Sequence, residues 1–197
     1  MNALSGHWPE IALAAALAWG SGLRLYAVLF LAGLAGYAGW VELPQHLTIL
    51  AHPLVLAASG FMSLVEFGAD KLPWLDSAWD AVHTFIRVPA GAALAAAVFG
   101  SGDAALATTA AILGGSIAAG THLVKAGGRA TINTSPEPLS NWLASFSEDL
   151  LVPSGLWLAV AHPLAFLALL ALFALAACLL LRAILRGLRL LLGKLRA

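Results

Sequence analysis

Long apolar segments are the feature that most constrains how this chain can fold. A bilayer is crossed by about 20 consecutive apolar residues in a helix. The chain has an Ala-rich segment that ends near Phe99 and four longer apolar segments, at residues 11–40, 47–68, 104–124 and 156–181. Only 10% of its residues are charged, against about 25% in a soluble domain. We predict an all-α polytopic membrane protein with about five transmembrane helices and short amphipathic or re-entrant helices, in a single domain over residues 1–197.

The first apolar segment, residues 11–40, is longer than one membrane crossing requires. Gly20-Ser21-Gly22 and Arg24 interrupt it, and an arginine is costly at that depth. Two alternatives remain open: a half-helix followed by a full helix, or a short interfacial segment followed by a span. Glycines recur at every third position from Gly33 to Gly39, which is typical of close helix packing, within the chain or in a homo-oligomer.

Two charged motifs of opposite sign end two of the apolar segments. Glu66 and Asp70 lie four residues apart after the second segment, and Lys125 and Arg129 have the same spacing after the segment 104–124. Charges near a bilayer need partners. We therefore predict that these acidic and basic side chains pair, either as salt bridges that hold the fold or as a site for a substrate or a proton.

Two further stretches have polar residues at helical spacing. One stripe is Asp76, Asp80, His83 and Arg87, and the other is Asn141, Ser145 and Glu148, with Asp149 beside it. Spacings of three and four place each set on one face of a helix. A Val-Pro-x-Gly sequence follows each stripe. We predict two short amphipathic helices that lie on the membrane or fold back into a cavity.

The order of these features indicates a weak internal repeat. An apolar span, a charged end, a loop, a polar-striped helix, Val-Pro-x-Gly and another apolar segment follow one another twice, in residues 47–100 and 106–181. Internal duplication is common in transporters, whose sites lie between the repeats. The alternative is a chance similarity, because few residues are identical.

Candidate pathway residues are the charged side chains at the ends of the apolar segments. They are Arg24, Glu66, Asp70, His122, Lys125 and Arg129. Arg24 needs a carboxylate, a carbonyl or water, and its acidic candidates include Glu66, Asp70 and Glu148. We assign no metal or other cofactor. The weak candidates for a metal site are Asp76, Asp80 and His83, which offer oxygen and nitrogen ligands on one helix face.

Several functional classes are disfavoured by the sequence. Cys178 is the only cysteine, so neither an intrachain disulfide nor a thiolate metal cluster can form. The chain has no phosphate-binding loop, no Gly-x-Ser-x-Gly elbow and no basic tract with interleaved aromatic residues. We assign no catalytic residue and expect no nucleic-acid partner.

The C-terminal segment is strongly basic. Half of the ten lysines and arginines lie in residues 182–197, which we predict to form a basic amphipathic tail. By the positive-inside rule this end is cytoplasmic, in the inner membrane of a bacterium. Anionic lipid is the expected partner of the tail.

Five short motifs carry a resemblance to a known family. They are Ser21-Gly22-Leu23-Arg24-Leu25-Tyr26, the stretch from Val65 to Lys71 with Pro73-Trp74-Leu75-Asp76, His83-Thr84-Phe85-Ile86-Arg87, Asn133-Thr134-Ser135-Pro136, and Ser147-Glu148-Asp149. Through them, residues 15–180 resemble a bacterial integral membrane family known as domain of unknown function 4126. The resemblance implies a fold, and no function is carried over from it.

Three functional hypotheses follow from these observations. The first is a transporter or channel for a small solute or ion, with its pathway between the repeats. The second is a non-catalytic membrane scaffold that oligomerises through the glycine and alanine faces. The third is a membrane enzyme that acts on a lipid-linked substrate with a metal held by Asp76, Asp80 and His83. We favour the first.

Overall fold

Six α-helices and one 3₁₀ helix make up most of the described chain. The computed structural model describes residues 6–100, 102–134 and 138–195. The helices are α1 (Trp8–Tyr37), the 3₁₀ helix (Gln45–Ala51), α2 (Pro53–Ala69), α3 (Pro73–Phe99), α4 (Ala104–Ile132), α5 (Pro138–Ala161) and α6 (Pro163–Leu195). No strand occurs among these residues, which confirms the predicted all-α class.

Helix α1 occupies the centre of the fold. It packs against the 3₁₀ helix and against each of the other five helices. Its regular geometry is interrupted at Arg24, where φ is −144° and ψ is 83°. Residues 11–40 therefore contain one long, kinked helix, which corresponds to the broken-helix alternative rather than to a short interfacial segment followed by a span.

Small residues allow the central helices to approach closely. A Cβ atom added at Gly91 of α3 would lie 2.5 Å from the Cβ of Ala118 in α4. One added at Gly22 of α1 would lie 2.5 Å from the carbonyl oxygen of the same Ala118. Gly33 of α1 contacts the backbone of Leu50 in the 3₁₀ helix. Glycines on α1 thus serve packing within the chain.

The two polar stripes belong to longer helices. We predicted separate amphipathic helices, but α3 continues through Pro89 and α5 continues through Pro153. An interior proline removes one backbone hydrogen bond and bends a helix. Here the contacts of α3 with α1 and α4, and of α5 with α1, keep each helix continuous.

Charged side chains face inward and large apolar side chains face outward. Asp76 and Arg87 of α3 are 0% exposed, whereas Val82 and Phe85 of the same helix are 61% and 82% exposed. This is the reverse of the usual arrangement in a soluble domain. The stripe on α3 is therefore buried inside the helix bundle and does not form a surface at the lipid headgroups.

The predicted number of about five spans is not confirmed by the described helices. Among the described residues, three helices are long and apolar enough to cross a membrane: Trp8–Tyr37, Leu75–Phe99 and Ala104–Ile132. A fourth is reached if the 3₁₀ helix and α2, which meet at a bend of 69°, form one broken span. The predicted span 156–181 is divided at His162, because Pro163 lacks a backbone N–H and starts a new helix.

Some predicted features extend beyond the described residues. Ser135 and Pro136 of the polar loop lie outside them, as do the last two residues of the tail 182–197. Within the described part, α6 continues to Leu195, and Arg182 and Arg186 are exposed. The amphipathic character of the tail and the internal repeat both stay predictions.

Candidate functional site: a buried ionic network

Every lysine and arginine that precedes the basic tail joins one ionic network. Its five cations are Arg24, Lys71, Arg87, Lys125 and Arg129, and its six carboxylates are Glu66, Asp70, Asp76, Asp80, Glu148 and Asp149. These groups come from α1, α2, α3, α4 and α5 and from the turn between α2 and α3. Most are buried. The helices therefore converge on a charged interior.

Asp70 lies at the centre of the network. Its Oδ2 atom is 2.9 Å from Lys125 Nζ and 3.1 Å from a guanidinium nitrogen of Arg24. Arg129 donates a hydrogen bond to the backbone carbonyl oxygen of Asp70 at 3.1 Å. The predicted pairing of Asp70 with Lys125 is thus confirmed, and Arg24 joins them as a third charged group.

Glu66 pairs with Arg87 rather than with the cations of α4. Glu66 Oε1 lies 2.9 Å from one guanidinium nitrogen of Arg87, and Asp80 Oδ1 lies 2.7 Å from the other. Both Glu66 and Arg87 are fully buried. The spacing of charges along the sequence did not indicate this pair, because helices α2 and α3 meet only in the tertiary structure.

His122 continues this arm of the network toward Thr84. Arg87 donates to Nδ1 of His122 at 3.1 Å, so that nitrogen carries no proton. Nε2 then donates to the hydroxyl oxygen of Thr84 at 2.7 Å, and Thr84 donates to the carbonyl oxygen of Asp80 at 2.9 Å. This chain of donors corresponds to a neutral imidazole with its proton on Nε2, the tautomer that lets Nδ1 accept a hydrogen bond from Arg87. The sequence does not identify Thr84 as a site residue, because its side chain is uncharged and it reaches the network only through the packing of the helices.

Arg24 is held at the kink of α1 by residues of α5 and the central aspartate. Its Nε lies 3.1 Å from Asp149 and 3.7 Å from Glu148. A terminal guanidinium nitrogen of Arg24 donates to the hydroxyl of Ser145 at 2.9 Å. Of its three predicted acidic candidates, Asp70 and Glu148 lie within ion-pair distance. The third candidate, Glu66, pairs with Arg87 instead.

Arg129 connects α4 to α5. It lies 3.1 Å from Glu148 and donates to the backbone and side-chain oxygens of Asn141. Asn141 is fully buried. The second polar stripe therefore faces the network and supplies neutral acceptors as well as charge.

Ionisation outside the predicted spans is affected by the network. Burial by itself would raise the pKa of Asp70, but the adjacent charges of Lys125 and Arg24 outweigh it and hold that pKa below its ordinary value. Burial lowers the pKa of the Lys71 ammonium, although Asp149 opposes the shift. The ammonium of Lys71 also lies 2.9 Å from the centre of the Phe67 ring.

By formal charge, the network has one more carboxylate than it has cations. When all six carboxylates are ionised and both histidines are neutral, its five cations leave one negative charge in excess. Lys71 and Asp149, the two most exposed members, form a neutral pair at the edge. Without that pair, five carboxylates still face four cations, so the formal excess of one negative charge lies in the buried part of the network.

Three carboxylates of the network lie close together. One ligand atom from each of Asp70, Asp76 and Asp80 lies within 4.8 Å of the others. His83, the third residue of the metal site predicted from sequence, is not in this group. Its Nδ1 bonds the carbonyl oxygen of Trp79 at 2.8 Å, and its Nε2 lies 3.3 Å from the hydroxyl of Tyr26.

A partly enclosed groove lies beside the network, between α1, α4, α5 and α6. Its volume is about 510 Å³. Apolar side chains such as Trp19, Leu151 and Phe166 form most of its lining, which also includes Arg129 and Glu148. The groove therefore brings an apolar space into contact with the charged interior.

The fold and the network together define a class: a helical membrane protein with a buried ionic centre. A family profile described as Domain of unknown function (DUF4126) matches residues 11–183. The chain belongs to this family. No curated protein and no solved structure matches it.

Proposed function

We propose that the protein moves a small ion or solute across the bacterial inner membrane, as a channel or transporter, with the ionic network as its binding site. The observation that carries this proposal is the concentration of eleven ionisable side chains inside a bundle of apolar helices. Ionisable groups buried among membrane-spanning helices are costly, and in membrane proteins they mark ion and substrate pathways.

Stability alone does not account for such a network. Desolvation of buried ions offsets most of their mutual attraction, and apolar replacements of similar volume are often neutral or more stable by about 1–4 kcal/mol. Glu66 and Arg87 are both 0% exposed, so their desolvation is complete. A function that uses the charges explains their retention better than a structural role does.

The kink in α1 supports the same proposal. Transporters commonly bind substrates where a membrane helix is broken and backbone groups face the site. At the kink, the carbonyl oxygen of Leu23 accepts a hydrogen bond from Lys125 at 3.0 Å, and Arg24 lies against Asp70. The irregular part of α1 therefore contacts the ionic network directly.

Proton coupling through Glu66 or His122 is part of the proposal. A second proton on His122 would occupy Nδ1, where Arg87 now donates. Because two donors cannot share that bond, protonation would separate His122 from Arg87 and change the surroundings of Glu66. In this scheme, the repeat units flank the site, and the cytoplasmic tail contacts anionic lipid.

Flux measurements with purified protein in proteoliposomes test the proposal. The panel contains protons, monovalent cations and small anions, and each is measured with the wild type, Glu66→Gln and Glu42→Gln. Glu42 is exposed and serves as a matched control. We expect protein-dependent flux that Glu66→Gln abolishes and Glu42→Gln retains, with all three proteins equally folded.

The absence of flux for the whole panel, from protein shown to be folded, would contradict the proposal. A scaffold that oligomerises would then be the better explanation, and oligomeric state in the membrane would be the next measurement. Loss of folded protein in Glu66→Gln would instead assign Glu66 a structural role.

A further inference from the structure

We infer that Asp70, Asp76 and Asp80 bind one monovalent alkali cation of the sodium class. The inference deepens the proposed function, on which it rests for identifying the ion as a transported or coupling species. Binding itself is argued from the geometry and charge of the three carboxylates.

The three side chains bring oxygen ligands close together, next to the ammonium of Lys125, which lies 2.9 Å from Asp70 and 3.7 Å from Asp80. Asp70 and Asp76 are 0% exposed and Asp80 is 4% exposed. One ligand atom from each lies within 4.8 Å of the others. Oxygens that converge at such distances surround a space of the size that a small hard cation occupies.

Each carboxylate retains one buried oxygen without a hydrogen bond. Among the described residues, no donor lies within hydrogen-bond distance of Oδ1 of Asp70, Oδ1 of Asp76 or Oδ2 of Asp80, and Arg129 approaches Oδ1 of Asp76 only to 4.0 Å. The other oxygens of Asp70, Asp80 and Asp76 accept hydrogen bonds from Lys125, Arg87 and Asn133, respectively. A buried carboxylate oxygen without a partner is costly, and a bound cation would supply the missing interaction.

The charge of the network favours a monovalent cation. With all six carboxylates ionised, the five cations of the network leave one excess negative charge. An uncompensated buried charge is strongly disfavoured. One monovalent cation makes the network neutral, whereas a divalent cation would leave it positive. Hard cations are also those that prefer carboxylate oxygens.

Thermal unfolding of the full-length protein in detergent tests the site. Unfolding is measured over a range of NaCl concentrations, with choline chloride keeping the ionic strength constant. A ligand that binds only the folded state raises the free energy of unfolding in proportion to the logarithm of the ligand concentration. We therefore expect the unfolding midpoint to rise by about 3–6 °C for each tenfold increase in sodium concentration above Kd.

Asp76→Asn is the decisive variant. Asp76 has the weakest ion pair of the three, at 4.0 Å from Arg129, and its neutralisation removes the excess charge. We expect the variant to fold without sodium and to lose the sodium dependence, while Glu42→Gln keeps it. If Asp76→Asn does not fold, calorimetric titration of the wild type with NaCl decides the question directly.

Three results would overturn the inference: equal midpoints in sodium and choline, stabilisation by Mg²⁺ or Ca²⁺ but not by sodium, or an undiminished sodium effect in folded Asp76→Asn. These results are separable from failure of the proposed function. Sodium-specific stabilisation without flux would retain the site and reject transport. Flux of another ion without sodium binding would retain transport and reject the site.

Discussion

Removal of Arg87 is expected to be one of the most destabilising single changes in the protein. Its guanidinium is fully buried and donates to Glu66 at 2.9 Å and to Asp80 at 2.7 Å. Among the described residues, Glu66 has no second cation within ion-pair distance, whereas Asp80 keeps Lys125 at 3.7 Å. Arg87→Met therefore isolates a buried carboxylate, which costs about 3–5 kcal/mol of unfolding free energy.

The double variant Glu66→Met with Arg87→Met removes the isolated charge. The network then has the same net charge as the wild type, and Asp80 and Nδ1 of His122 have each lost the donor that Arg87 supplied. We expect a loss of about 1–3 kcal/mol, which is the scale of an unsatisfied buried acceptor, because Asp80 keeps Lys125 at 3.7 Å. The double variant is thus expected to be more stable than Arg87→Met alone by about 2 kcal/mol.

The assay is reversible unfolding in mixed micelles of detergent and sodium dodecyl sulfate, followed by the fluorescence of the seven tryptophans. Arg182→Met is the matched control, because Arg182 is exposed on α6. We expect that control to change the unfolding free energy by less than about 0.5 kcal/mol. A double variant no more stable than Arg87→Met would refute the reasoning, since Glu66 would then not be the group that Arg87 compensates.

Two further predictions concern packing and pH. Gly114→Ala should cost about 1–3 kcal/mol in the same assay, because its Cβ would overlap Ala95 and lie 3.0 Å from the carbonyl oxygen of Gly91. Gly120→Ala, on the same helix with open space around it, should instead stabilise by up to about 1 kcal/mol, and equal effects would contradict the packing argument. The pKa of Asp70 is lower in the folded state than in the unfolded state, where it is about 3.9. The ionised carboxylate therefore makes its full contribution to the free energy of unfolding above about pH 3.9. That contribution is lost as the pH falls from there toward the folded-state pKa. The stability difference between wild type and Asp70→Asn should shrink below about pH 4, and a constant difference down to pH 3 would count against the assigned ion pairs.

Part of the site could be predicted from residue type alone. Lysine, arginine and carboxylate side chains are rare in this chain, and charges in apolar surroundings must find one another. The pairing of Asp70 with Lys125, and of Arg24 with Asp70 and Glu148, follows from that requirement. Thr84 and Tyr26 carry no such signal, because uncharged polar residues are compatible with many positions in a helix.

The sequence by itself determined the all-α class, the membrane character and the pairing of the charged motifs that contain Asp70 and Lys125. The reason is that bilayer-length apolar segments leave few alternatives to helices. The tertiary structure decided the Glu66–Arg87 pair, the inward direction of the stripe on α3, and the continuity of α3 and α5 through their prolines. Those features depend on which helices become neighbours, and the preferences of single residues do not specify which helices pack together.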